Sequence, residues 1–409
     1  MTYLHPKSPS IGWGGAVAAG LVSFLGGCSV SMTGSLPTTP VAQSVQATPT
    51  VKTLRQPLAL PAEYDRHGGL IAADVNGDRQ MEIIVTQPGW LAAYSPTGGQ
   101  LWERRTDIHL TGQAESEGLP GLHGPGVQVG DIDQDGALEV LYVVEGNALE
   151  VLAAATGNLK HRITLPEVSA LNDQWEHAII GNFRGKGDLD LLLQASRKTN
   201  ADDYFRDSLQ TAFALEELLT YGPEAQPLWS NSGFVSVSHG SAKVIDLDRD
   251  GKDEVVGATI LSAAGQELYN PGVANTNFPH MDSFAVDDIA PDQPGLEVVM
   301  PEERGEVRVI LFNQEKTLWT STHRRKAEDF DGDKVVVGNF DPNSPGLEMW
   351  FRGNESKHFT VMNAAGDVVA SYKFSDRRPP SWTEAGLEVI TRIRWTGADQ
   401  DYIVAKERH

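Results

Sequence analysis

One cysteine in 409 residues, Cys28, rules out a disulfide within the chain. Stability must come from packing, hydrogen bonds or bound ions. Basic side chains are scarce too: 33 Lys and Arg stand against 55 Asp and Glu, a formal charge of −22. A phosphate backbone needs clustered basic surface, so nucleic acid is excluded as a partner. After residue 28 no apolar run approaches the ~20 residues that a spanning helix requires. Helical spacing is nearly absent as well. Only Leu209-Gln-Thr-Ala-Phe-Ala-Leu-Glu-Glu-Leu-Leu219 has apolar residues at mixed three and four spacing. The repeats along the sequence predict an all-β chain, and hydrophobic content of 40% supports a sizeable core.

The acidic residues are ordered rather than scattered. Asp74-Val-Asn76-Gly-Asp78-Arg-Gln-Met-Glu82, Asp131-Ile-Asp133-Gln-Asp135-Gly-Ala-Leu-Glu139 and Asp246-Leu-Asp248-Arg-Asp250-Gly-Lys-Asp-Glu254 share one pattern. Oxygen side chains fall at positions 1, 3, 5 and 9, with a Gly beside the turn. Alternate residues on a tight turn aim inward at one hard cation, and Gly permits the bend. All three are expected to bind calcium in a structural role, because each loop lies pinned between two strands.

Degenerate copies occur at Asn182-Phe-Arg184-Gly-Lys186-Gly-Asp-Leu-Asp190, at Asp288 to Glu297 and at Asn339 to Glu348, with a last echo over Ile393–Val404. Arg184 and Lys186 stand at ligand positions, where an internal guanidinium or ammonium replaces the metal. Behind the loops comes a two-strand tail with a turn, as in Trp90–Trp102, Leu149–Leu159, Arg308–Trp319 and Thr360–Val369. One unit is therefore strand, ligand loop, strand, strand, turn, strand. A four-stranded antiparallel unit at this spacing is a propeller blade. Seven anchors predict a seven-bladed β-propeller over residues 54–409, the last blade short and completed in part by residues 54–60. Eight blades would need an unrecognised unit in the 195–235 insertion. That insertion, holding the helix-like run, is either functional or a cover for one blade.

The amino terminus predicts export. Ile11 to Phe24 is short, apolar and glycine-rich, and Leu25-Gly-Gly-Cys28 follows it. Residues 1–28 read as a bacterial lipoprotein signal peptide, with Cys28 the lipidated residue. Residues 29–53, rich in Ser, Thr, Pro and Gln, read as a disordered tether. The expected location is the cell envelope or surface, with the membrane met only through the lipid. A monomer is expected.

Histidines form a second series. His67, His123, His177, His239 and His280 each precede the first strand of a blade, at the end of the ring opposite the ligand loops. Such a rim is either a pocket for acid–base work or a set of contacts to neighbouring backbone. Trp90, Trp102, Trp175 and Trp229 offer sugar stacking or packing between blades.

The blade loop resembles the FG-GAP or VCBS repeats of integrin-type propellers. His239 to Glu254, His280 to Glu297, Val337 to Glu348 and Asn182-Phe-Arg184-Gly resemble the propeller polysaccharide lyases, the rhamnogalacturonan lyases and their ulvan-lyase-like relatives. The resemblance implies β-elimination on a uronate-containing polysaccharide. That chemistry needs a base for the proton α to the carboxylate, an acid for the leaving oxygen and a cation for the carboxylate. It implies His123, His177 and Tyr204 for proton transfer, His239 and His280 for binding sugar, and Arg324 and Arg325 for the carboxylate. The other reading is a non-catalytic lipoprotein whose propeller binds a glycan or a protein.

Overall fold

Short apolar runs bounded by turn residues, without polar alternation, form strands covered on both faces. That is how the middle of each repeat folds. The computed structural model describes residues 57–60, 69–87, 89–108, 127–168, 175–195, 208–237, 242–272, 281, 283–302, 306–324, 332, 334–352, 358–373, 387–394 and 399–407.

Blade 1 is β1 (Gly69–Ala73), β2 (Glu82–Gln87), β3 (Trp90–Tyr94) and β4 (Gln100–Arg105). Blade 2 is β5 (Gln128–Gly130), β6 (Glu139–Val144), β7 (Ala148–Ala153) and β8 (Leu159–Thr164). Blade 3 is β9 (His177–Gly181), β10 (Asp190–Ala195), β11 (Ser208–Ala214) and β12 (Trp229–Phe234). Blade 4 is β13 (Lys243–Ile245), β14 (Glu254–Val256), β15 (Ile260–Leu261) and β16 (Glu267–Tyr269). Blade 5 is β17 (Ala285–Asp287), β18 (Glu297–Pro301), β19 (Glu306–Phe312) and β20 (Thr317–Arg324). Blade 6 is β21 (Lys334–Gly338), β22 (Glu348–Arg352), β23 (His358–Met362) and β24 (Val368–Lys373). The last sheet pairs β25 (Leu387–Ile393) with β26 (Tyr402–Glu407). Every pairing is antiparallel between chain neighbours, so six four-stranded meanders and one two-stranded sheet make the propeller.

Six of the seven apolar clusters are shared by successive blades, and the seventh lines the other face of blade 1. Ile84 and Leu91 of blade 1 pack with Val140 and Tyr142 of blade 2. Leu192 of blade 3 packs with Val255 of blade 4, and Trp350 of blade 6 with Ile403 of the last sheet. Most of the core is lent across blade boundaries, so the repeats fold as an array.

Aromatic latches add direction to this packing. Trp102 on β4 donates its indole N–H to Ala154 O in the β7–β8 turn of the next blade, at 2.8 Å. Its ring lies on Gly157, where a Cβ would come within 2.6 Å of Cδ2. Trp229 repeats the contact on Ala263 O and Gly265, and Trp319 on Ala364 O and Gly366. In blade 4 the same register position holds Tyr269, whose hydroxyl accepts from Thr317 N. These tryptophans serve packing between blades. Trp90 and Trp175 are buried like Trp102, and Trp229 is half-buried with its ring on Gly265.

Blade 2 breaks the series. The latch position holds exposed His161, and blade 3 offers no tight turn to receive one. There β11 runs straight into α1 (Leu215–Tyr221), whose Leu215 and Leu218 pack with Leu149 and Val151 of blade 2. Helix α1 thus covers the boundary between blades 2 and 3. Its helix is shorter than the spacing suggested: Leu209 to Ala214 is strand, held by pairing to β10 and β12.

Residues 57–60 are not a strand. Leu58 packs on the face of blade 1 turned away from blade 2, and Ala59 O accepts from the Tyr94 hydroxyl. Among the described residues they do not pair with β25 or β26, contrary to the expected closure.

Candidate metal centres and the opposite rim

The repeated loops all join the first and second strands of a blade, which places them at one end of the ring. The closing carboxylate, at position 9 in four loops and position 10 in the Asp288 and Asn339 loops, is the first residue of the second strand in six blades: Glu82, Glu139, Asp190, Glu254, Glu297 and Glu348, all buried. Each accepts a backbone N–H from its own loop, from Val75, Ile132, Arg184, Leu247, Ile289 and Phe340 respectively. In the first four loops positions 4 and 6 adopt positive φ. Gly77 and Arg79 do so in the first, Gln134 and Gly136 in the second, Arg249 and Gly251 in the fourth. The Asn182 loop uses two glycines, Gly185 and Gly187. The turn therefore survives in blade 3 even though its ligands do not.

Three sets of side chains converge closely enough to hold a metal ion. They are Asp74, Asp78 and Glu82; Asp131, Asp133 and Glu139; and Asp246, Asp248 and Asp250, with the ligand atoms of each set within 4.8 Å of one another. Asn76, Asp135 and Glu254 stand at the remaining ligand positions of these loops. All the donors are carboxylate or amide oxygens, the set that suits a hard cation. Asp246 Oδ1 and Asp131 Oδ1 are buried and have no hydrogen-bond partner among the described residues. Burial, with the charges of Asp248, Asp250 and Asp246, pushes the Glu254 carboxyl up to about 8. Burial also raises Glu82. Among the described residues no Lys or Arg forms a recorded ion pair with either of these two loops, apart from Arg249, which reaches away to Asp288.

The second and third loops differ. Lys160 Nζ lies 2.7 Å from Asp133 Oδ2, 2.8 Å from Glu139 Oε1 and 3.9 Å from Asp135 Oδ2. In blade 3 the guanidinium of Arg184 meets Asp190 Oδ1 at 2.6 Å and Glu216 of α1 at 2.6 Å. An internal cation thus occupies the ligand space at Asn182, as the substitution pattern suggests. Lys186 is not part of this contact: its carbonyl accepts from Gln134 Nε2 of the second loop.

Neighbouring loops are stitched together. Asn182 N donates to Asp253 Oδ2 and Asn339 N to Asp401 Oδ2. At the same end lies a cleft of about 610 Å³ lined by Asp287, Asp288, Asn339, Arg392, Arg394 and Asp401 among others. Its guanidiniums are already engaged, Arg392 with Asp287 at 2.6 Å and Arg394 Nε with Asp401 at 3.3 Å. The first pair ties the last sheet to blade 5, and the second lies within the last sheet's own loop.

At the opposite end His177 opens β9 with 5% of its surface exposed, paired in register with Gln194. Arg324 ends β20, the outermost strand of blade 5, at that same end. His123, Tyr204, His239, His280, Arg325 and Cys28 lie outside the described residues, as do His67 and most of the insertion before β11. His177 and Arg324 are therefore placed on one rim, one at an inner strand and the other at a blade's outer edge. The residue that sequence reasoning missed is Lys160. No local signal marks it, because it lies 21 residues beyond Glu139 and reaches the loop only through the blade's folding.

Residues 213–389 match the family model for the rhamnogalacturonan lyase family 11 C-terminal domain, and residues 74–142 match an FG-GAP-like repeat. The rhamnogalacturonan endolyase YesW of Bacillus subtilis is 23% identical over 333 residues, covering 69% of this chain and 51% of that protein. The chain spans about half the length of that relative. Among solved structures, the V. cholerae biofilm matrix protein Bap1 is 11% identical with a TM-score of 0.48, covering 83% of this chain and 76% of that one. BamB from Moraxella catarrhalis is 12% identical with a TM-score of 0.41, covering 80% and 78%.

Proposed function

We propose that this chain is a calcium-stabilised propeller acting by β-elimination on a uronate-containing polysaccharide. The observation that carries the reading is the match of residues 213–389 to the rhamnogalacturonan lyase family 11 C-terminal domain. The distant likeness to a rhamnogalacturonan endolyase supports it. His123, His177 and Tyr204 are assigned to proton transfer, His239, His280, Arg324 and Arg325 to the substrate. Calcium is assigned to the Asp74 and Asp246 loops, whose donors are all oxygen and whose charge no described side chain neutralises. Its role there is to hold the turn.

The test is absorbance of the unsaturated uronate product after incubation of the purified chain with rhamnogalacturonan, ulvan and related uronic-acid polymers. Product formation lost in His123→Ala and His177→Ala supports both the activity and the assignment. Absence of product with every polymer, alongside measurable glycan binding, would replace the lyase by the second reading, a glycan-binding propeller. The near-complete burial of His177 favours that second reading, since a proton-transfer group must meet its substrate. The proposal also includes export and lipidation at Cys28. Cys28→Ala should then move the protein from the membrane fraction to the soluble one.

A further inference from the structure

The bulge at the start of the outer strand holds an apolar residue in blades 1, 4, 5 and 6, half-buried at Leu318 of blade 5. Leu101, Leu268 and Val369 occupy it in blades 1, 4 and 6, each more than two-fifths exposed. In blade 2 the bulged residue is Lys160. Its side chain does not run into solvent. It folds back over its own blade, is only 27% exposed, and ends between the carboxylates of Asp133 and Glu139. We propose that the Lys160 ammonium is the resident cation of the blade 2 loop and excludes calcium from it.

The argument rests on position and charge. Glu139 is 1% exposed, so the lysine is its nearest counter-charge rather than a surface partner. A divalent ion bound by Asp133 and Glu139 would sit within a few ångströms of the ammonium, and the two like charges repel. Calcium enters only if the lysine leaves. Blade 3 shows the same replacement by another route, with Arg184 on Asp190 and Glu216. The two self-neutralised loops are adjacent and joined by Gln134 Nε2 donating to Lys186 O. They also meet at the blade boundary where the tryptophan latch is missing and α1 fills the gap. One ligand stays unused: Asp131 Oδ1 is buried and has no hydrogen-bond partner. Removing Lys160 therefore uncovers a complete oxygen set rather than a damaged one.

The inference rests on the proposed use of calcium in the Asp74 and Asp246 loops, and the experiment separates the two claims. Calcium bound per chain is counted by equilibrium dialysis and elemental mass spectrometry on the full chain, with melting curves as a check on folding. Asp74→Asn and Asp246→Asn should each lower the count by one, while Asp131→Asn should leave it unchanged. Lys160→Gln should raise it by one, and adding Asp131→Asn to that variant should cancel the gain. A count that falls by one in Asp131→Asn alone overturns the inference, as does a folded Lys160→Gln that gains nothing. If Asp74→Asn and Asp246→Asn change nothing while Lys160→Gln gains an ion, the inference stands and the calcium assignment of those two loops falls.

Discussion

Gly157→Ala should destabilise the propeller far more than an ordinary substitution in a turn. Gly157 has φ of +70° and lies under the Trp102 ring. A methyl group there would stand 2.6, 2.8 and 2.9 Å from Cδ2, Cε3 and Cγ, so the indole must move. The left-handed backbone costs an alanine about 1–2 kcal/mol. Displacing the ring loses the hydrogen bond to Ala154 O, worth about 1 kcal/mol, and disturbs packing by about 1–2 kcal/mol more. The expected total is roughly 3–5 kcal/mol. Gly146→Ala is the control: its φ is +85° but nothing lies within 4 Å, so only the backbone cost applies. Urea unfolding of both variants, each also made in a Trp102→Phe background, isolates the contact as a coupling energy. In that background the Gly157→Ala penalty should shrink toward the control. Equal penalties for the two glycines, or strict additivity with Trp102→Phe, would refute the latch.

The remaining expectations concern charge. Arg184→Met should cost about 3–5 kcal/mol, because it strands the Asp190 carboxylate in the core, whereas Glu216→Ala, on a side chain 61% exposed, should cost at most about 1 kcal/mol. Denaturant midpoints compare the two, and equal losses would refute the ranking. Glu297 is raised to about 7 by burial and by Asp288 and Asp292, above its unfolded value of 4.5. The folded state then holds the extra proton between those values, so this residue's contribution is full below pH 4.5 and fades as pH rises through 7, by about 3 kcal/mol. Melting curves of Glu297→Gln against the parent should diverge over that window in the variant's favour, and parallel profiles would contradict the assignment. Dialysis against chelator should lower the melting temperature and readdition of calcium restore it. Insensitivity to both would remove the structural role proposed for the ion.

Much of the propeller was legible because the loop pattern is local. Positive φ at positions 4 and 6 and a carboxylate at position 9 constrain nine consecutive residues, so Asp74, Asp131 and Asp246 announce their blades directly. The degenerate loops were countable since the closing carboxylate, as at Asp190 or Glu348, is kept for its hydrogen bonds to loop N–H groups whether or not a metal is held. The strand Ser208–Ala214 was misread because a fully buried strand lacks alternation and mimics a buried helix. Its state is set by β10 and β12 on either side. The role of residues 57–60 depended on contacts with Tyr94 that no local pattern encodes. Lys160, reaching the second loop from β8, was hidden for the same reason: charge in a ligand pattern can be answered from a distant strand. For His123, Tyr204, His239, His280 and Arg325 the structure adds no geometry, and their assignment stays with the sequence.

In blades 1, 3 and 5 the indole latches point one way, from the blade's last strand to a turn in the blade that follows it. A chain leaving the ribosome therefore completes a blade with one indole still bare, and the next blade must emerge before that ring is covered. Blade 2 has no such ring. Where its neighbours leave a tryptophan waiting, it ends in a lysine satisfied by its own loop. Blades 1 and 2 together leave no aromatic debt to the chain still to come, and synthesis can pause after residue 164 without exposing an unfinished latch.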